Sequence, residues 1–200
     1  SNPLQPKPPT EPIFNAHTHI IDQANQAYTL RASLIDHANV SIDAQYYIWH
    51  NDTTGKQLLH KLQQAAERGV RVRLLLDDNN TNGMDNILTA LNAHPNIQIR
   101  LFNPFLIRKW RALGYLADFP RVNRRMHNKT LTADNRASII GGRNIGDEYL
   151  TDSAQKTTFA DMDVLVSGSI VTRISQEFDR YWRSDSAYPL ETIIKPTARR

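Results

Sequence analysis

Between residues 40 and 102 the chain alternates twice between two hydrophobic periodicities, and few folds accommodate that. Val40–Trp49 (VSIDAQYYIW) is rich in β-branched and aromatic residues, which predicts a strand. Leu58, Leu59, Leu62, Ala65 and Ala66 then recur at helical spacing. Thr54 supplies an N-cap, Gln57 completes a capping box three residues on, and Gly69 ends the helix. Val70–Leu76 (VRVRLLL) predicts a second strand, Met84–Ala93 a helix that stops before Pro95, and Ile97–Phe102 a third strand. A short helix over Ala27–Asn39, with Leu30, Leu34 and Ala38 on one side, precedes them. Strands alternating with helices imply an α/β sheet with helices packed on its faces.

The second half continues the pattern less regularly. His127–Ala133 and Ala137–Ile140 read as two strands joined by a polar turn at Asp134-Asn135-Arg136. Gly141-Gly142 break the second strand, and a short helix is expected from about Ile145. Thr157–Val166 predicts another strand, and Ile170, Val171, Ile174, Phe178, Tyr181 and Trp182 mark a last long helix. Residues 1–13 are proline-rich and read as an extended linker, with Ser1-Asn2 as a possible cloning scar, while residues 14–200 read as one domain. The chain has no cysteine, which excludes disulfides, thiolate catalysis and Cys-based zinc sites. No apolar run approaches the length of a membrane span. A net charge of +4 favours an anionic partner.

The chemistry is concentrated in one constellation, His127-x-Lys129-x4-Asp134. Side chains alternate along a strand, so His127 and Lys129 project on one face and can meet the same substrate group. Asp134 falls in the turn beyond, from which it can brace the pair electrostatically. Gly141-Gly142-Arg143-Asn144 follows; the glycines permit close backbone approach, Asn144 adds an amide donor, and the helix starting behind them offers N–H groups to a phosphate. From this chain's own residue frequencies, the His-Lys-Asp pattern alone arises by accident in roughly 2 of 100 such sequences, and with Gly-Gly-x-Asn at a fixed offset in about 2 per million. The competing explanation, a buried structural histidine beside a surface lysine, therefore loses.

The run HNKTLTADNRASIIGGRNIGDEY resembles the signature of the phospholipase D superfamily. The blocks DAQYYIW, GVRVRLLLDDNN, RLFNPF and NRRMHNKTLTAD, with the FADMDVLVSG–helix–YW ending, are similar to the N-terminal half of bacterial cardiolipin synthases of the C type. The resemblance implies a mixed β-sheet flanked by helices on both faces. It implies that His127 is the nucleophile that forms a phosphohistidine, or else the acid that protonates the leaving alcohol. Lys129 and Asn144, with Gly141 and Gly142, are expected to hold the non-bridging oxygens, with Asp134 a supporting member. Asp161 and Asp163 share a strand face by period two, and one of them is expected to orient an imidazole. The family needs neither metal nor cofactor. Its active site uses two such motifs, and this chain carries one, so a second half is expected, from the same full-length protein or from a homodimer partner. The expected activity is cardiolipin formation from glycerophospholipids. The alternatives are a phospholipase, phosphodiesterase or nuclease hydrolase acting as a homodimer, and a non-catalytic lipid-binding half. The expected anionic partner is phospholipid rather than nucleic acid, and the expected place is the face of a bacterial inner membrane.

Other features carry less. Residues 100–125 combine basic and aromatic side chains, which suits either an anionic membrane surface or a long loop with its rings in the core. His17-x-His19 has the spacing of a metal pair but no matching ligands follow it. Asp77-Asp78 at a strand end read as a solvated turn, and His50, at the end of the first strand, as a pocket candidate.

Overall fold

The computed structural model describes residues 15–78, 81, 83–103, 129–151 and 162–194. Among these, eight strands form a single sheet in the order β1-β7-β6-β5-β2-β3-β4-β8. The strands are β1 (His17–Ile21), β2 (Ser41–Tyr46), β3 (Arg71–Asp77), β4 (Ile97–Phe102), β5 (Lys129–Ala133), β6 (Ala137–Gly141), β7 (Asp163–Ser167) and β8 (Ala187–Pro189). The helices are α1 (Ala24–His37), α2 (Thr53–Glu67), α3 (Asp85–Asn92), α4 (Asp147–Leu150), α5 (Ile170–Trp182) and α6 (Leu190–Ile193). β2, β3 and β4 run parallel, joined by α2 and α3, and every other pairing is antiparallel. This is the α/β sheet with helices on its faces that the alternation predicts, and the mixed sheet that the resemblance implies.

The two faces are unequal. Ile42, Ala44, Val72, Leu74, Ile99, Leu101, Leu131 and Ile139 alternate onto one face and form the main core beneath α1, α2 and α3. The other face carries Asp43, Gln45, Arg73, Leu75, Phe102, Thr130 and Thr132, and α5 crosses it. Among the described residues a small apolar cluster lies there: Leu75, Phe102, Phe178, Trp182 and Ala187. Arg73 anchors that helix, holding Asp43 at 2.8 Å and Asp179 at 2.8 Å while stacking on Phe178. Its charge is thereby secured: burial alone lowers its pKa, but the two carboxylates outweigh this and raise it. Beside α5, the β1-β7-β6 end of this face opens into a cleft of about 900 Å³, lined among others by Thr18, Ile140, Val164, Val166 and Ile174.

Local details differ from expectation. The cap of α2 is Asp52, whose carboxylate accepts from the Gly55 N–H at 3.0 Å; Thr54 sits inside the first turn and gives its hydroxyl to Asp147. The predicted Leu30, Leu34 and Ala38 side of α1 does pack on the core, Ala38 fully and the leucines partly, but the most deeply buried positions of the helix are Ala27, Arg31, Ala32 and Ile35. β1, β8 and α6 are additional, and residues 157–161 of the predicted strand lie outside the described residues. Asp77 and Asp78 are fully buried rather than in a solvated turn. Residues 1–13 and most of 100–125 also lie outside the described residues.

Candidate functional site

β4 leaves the sheet and β5 enters it at the same end, where β2 and β6 also finish and β7 begins. Antiparallel register sets Lys129 opposite Gly141 and Gly141 opposite Asp163, so three adjacent strands bring an ammonium, a glycine and a carboxylate level with one another. Lys129 is half-buried, and its Nζ donates to the Gly142 carbonyl at 3.0 Å. This bond fixes the direction of the ammonium at the turn. Asn144 is buried, and its Oδ1 accepts from the Ile48 N–H at 3.0 Å. That bond orients the amide, leaving Nδ2 as the end that can donate to an anion. Lys129 is therefore held at the Gly142 carbonyl, two residues before Asn144 in the chain.

The glycines act differently from the expected cradle. A Cβ on Gly141, at φ +157°, would lie 2.3 Å from the Met162 carbonyl oxygen and 2.7 Å from Asp163 Oδ1, so only glycine allows β6 to approach β7 here. The Gly142 N–H is committed to the Met162 carbonyl at 3.1 Å. Nor does the following helix present an open N-terminus. α4 has four residues, starts with two acids, and gives its Asp147 N–H to Asp52 at 2.7 Å. The cationic and amide side chains at this turn, among the described residues, include the ammonium of Lys129 and the amide of Asn144.

Asp134 is placed elsewhere. It lies five residues beyond Lys129, at about 3.4 Å per residue some 17 Å away, at the other end of β5. There it adopts φ +56° and accepts the backbone N–H groups of Asn39, Val40 and Ser41. Partial burial pushes its pKa up, but these donors outweigh the burial and hold it below the usual carboxylate value. Its role at this position is to pin the α1–β2 turn onto the β5–β6 turn.

Asp163 is fully buried, and its Oδ2 lies 2.9 Å from Arg31 Nη1 and 3.2 Å from Arg143 Nε, so this carboxylate is bound to arginines. Neither arginine figured among the predicted site residues. The available signals were a charged residue inside the apolar stripe of α1 and an arginine flanked by Gly142 and Asn144. His127 and Asp161 lie outside the described residues. His50 is half-exposed, paired with Glu148 at 2.7 Å and stacked on Tyr149. His17 and His19 lie on the exposed part of β1, and no cluster of three or more metal-binding side chains occurs among the described residues.

Comparison with known proteins places this geometry. Residues 32–182 match the family described as cardiolipin synthase, PLD-like domain. Cardiolipin synthase C of Escherichia coli is 47% identical over 174 residues, covering 87% of this chain and 37% of that protein. The chain thus spans little more than a third of the length of this relative. Phosphatidylserine synthase of Haemophilus influenzae superposes with a TM-score of 0.67 at 16% identity, over 92% of this chain and 42% of the other. Nuc from Salmonella typhimurium, a phospholipase D family member, superposes with a TM-score of 0.55 at 19% identity, over 88% of this chain and 98% of the other.

Proposed function

The chain belongs to the family of cardiolipin synthase PLD-like domains, and from that premise we propose that it forms one half of a phospholipase D-type active site that transfers a phosphatidyl group between glycerophospholipids to make cardiolipin. The observation that carries this is the pairing of Lys129 with Gly142 beside the anchored amide of Asn144, two residues past His127 in sequence. In this reaction the His127 imidazole attacks phosphorus, forming the N–P bond as the P–O bond to the leaving alcohol breaks. A second imidazole, from the other half, protonates that alcohol. The acceptor hydroxyl of phosphatidylglycerol then gives its proton to the same second imidazole, attacks phosphorus, and breaks the N–P bond. Lys129 Nζ and Asn144 Nδ2 meet the non-bridging oxygens as their charge rises.

The second half comes from the rest of a longer protein, in keeping with coverage of 37% of the Escherichia coli relative. The cleft beside α5 supports this, because among the described residues its sheet face is apolar and open, as a face that meets a second half would be. The protein works as a peripheral enzyme at a bacterial inner membrane, its residues 100–125 meeting anionic lipid. No helix among the described residues is long and apolar enough to cross a bilayer. The near-complete coverage of Nuc favours a second reading, a hydrolase formed by two copies of this chain.

Vesicles containing phosphatidylglycerol and phosphatidylethanolamine test both. With a second half supplied, cardiolipin is the expected product, and His127→Ala abolishes it. Phosphatidic acid from the chain alone supports the homodimeric hydrolase, and turnover that survives His127→Ala refutes both.

A further inference from the structure

A buried ionic group lies directly under the turn that carries Asn144. Arg31, Arg143 and Asp163 are each at most 2% exposed. Asp163 Oδ2 is shared between Arg31 Nη1 and Arg143 Nε. Arg31 also donates to the Ala27 carbonyl and to Tyr46 Oη, tying α1 and β2 to the same carboxylate. Arg143 reaches forward to the Tyr149 carbonyl of α4. The other oxygen, Asp163 Oδ1, lies against the Gly141 backbone, where a Cβ would come within 2.7 Å. The Gly141–Asn144 turn is thus tied to this carboxylate through the guanidinium of Arg143, and the missing side chain of Gly141 lets the carboxylate lie close beside the start of the turn.

A buried ion pair gains little net stability, because desolvation offsets much of the Coulomb attraction, and in some proteins such groups serve to enforce one arrangement. The arrangement here is the turn whose Gly142 carbonyl holds Lys129 and whose Asn144 amide faces the same end of the sheet. From this we infer that Asp163 and Arg143 are positioning residues for the phosphate site: they set the turn so that Lys129 and Asn144 converge on one anion. The inference rests on the phosphate-binding role proposed for Lys129.

The sign of one substitution separates positioning from charge. Asp163→Asn removes a negative charge beneath the site, so bulk electrostatics predicts tighter binding of an anion, whereas loss of positioning predicts weaker binding. The probe is inorganic phosphate, titrated into the 200-residue chain by calorimetry at a temperature where urea unfolding shows each variant fully folded. Asp163→Asn is expected to weaken phosphate binding at least ten-fold. Arg143→Lys keeps the charge but loses the planar fork; it is expected to fall between wild type and Arg143→Met, and it serves as the readout where Asp163→Asn fails to fold. Lys129→Met is expected to abolish binding. If Lys129→Met abolishes binding while Asp163→Asn, or Arg143→Lys in its place, binds phosphate as tightly as wild type or tighter, the positioning inference is overturned and the proposed function stands. If Lys129→Met binds like wild type, both are overturned.

Discussion

Asp134 shows how one side chain of the His-x-Lys-x4-Asp pattern can serve the scaffold. Its carboxylate takes three backbone N–H groups from residues 39–41, and hydrogen bonds to a charged group contribute more than neutral ones. Asp134→Asn keeps a side chain that tolerates φ +56° but removes the charge. The expected cost is about 1–2 kcal/mol in urea unfolding at neutral pH, with phosphate binding unchanged in the folded protein. Because the folded pKa lies below the unfolded one, the stabilisation is complete above an unfolded value of about 4 and is lost as pH falls through the folded value. Wild type and variant therefore converge in stability under acid, and a constant gap down to pH 2 contradicts this. Asn144→Asp is the complementary probe: a carboxylate oxygen still accepts from the Ile48 N–H, but the amide donor is replaced by a negative charge. The expected outcome is a folded chain with at least ten-fold weaker phosphate binding. At this scale the start of β5 at Lys129 and the turn carrying Asn144 were legible in the sequence, and both lie at one end of the sheet. The sequence did not display the pairings of Asp163, because spacing along β7 gives its face but not the arginine that α1 brings beneath it.

Among elements, the turn after β6 is the most constrained. Gly141→Ala places a methyl group 2.3 Å from the Met162 carbonyl oxygen, so β6 and β7 must separate. Overpacking of this kind costs about 1–3 kcal/mol, and at Gly141 it also displaces Asn144, so phosphate binding is expected to fall with stability. Gly83→Ala is the control. That glycine has φ +76° with open space around it, so only backbone strain of about 1 kcal/mol is expected, with binding untouched. Equal effects of the two substitutions, by denaturation and titration, contradict the steric account. Long elements with a strong period were legible: α2, α5 and β2–β4 match their predicted positions because burial of one face dictates both the pattern and the structure. β8 and α6 were not, since three or four residues carry no period. The capping box at Thr54 was displaced because Asp147, distant in sequence, competes for its hydroxyl, leaving the cap to Asp52.

For the whole molecule, the unequal faces of the sheet determine what must come next. One face is sealed by α1, α2 and α3, while on the other the β1-β7-β6 end leaves Ile20 59% exposed beside Val164 and Val166. An isolated exposed apolar residue needs no explanation, but one bordering an apolar cleft fits a surface that a second half covers. Ile20→Glu separates folding from assembly, because substituting an exposed side chain changes stability by only about 0.5 kcal/mol or less, whereas burying the new carboxylate in an apolar contact is costly. Val40→Glu is the matched control: Val40 is 67% exposed, before β2 and at the Asp134 end of the sheet, away from the cleft. In sedimentation velocity, Ile20→Glu is expected to remain folded yet lose association with the second half, or with itself if the active form is a homodimer, and to lose turnover in parallel. Val40→Glu is expected to retain both. Association that survives Ile20→Glu places the partner on another surface, and the cleft beside α5 then has no part in completing the two-motif site.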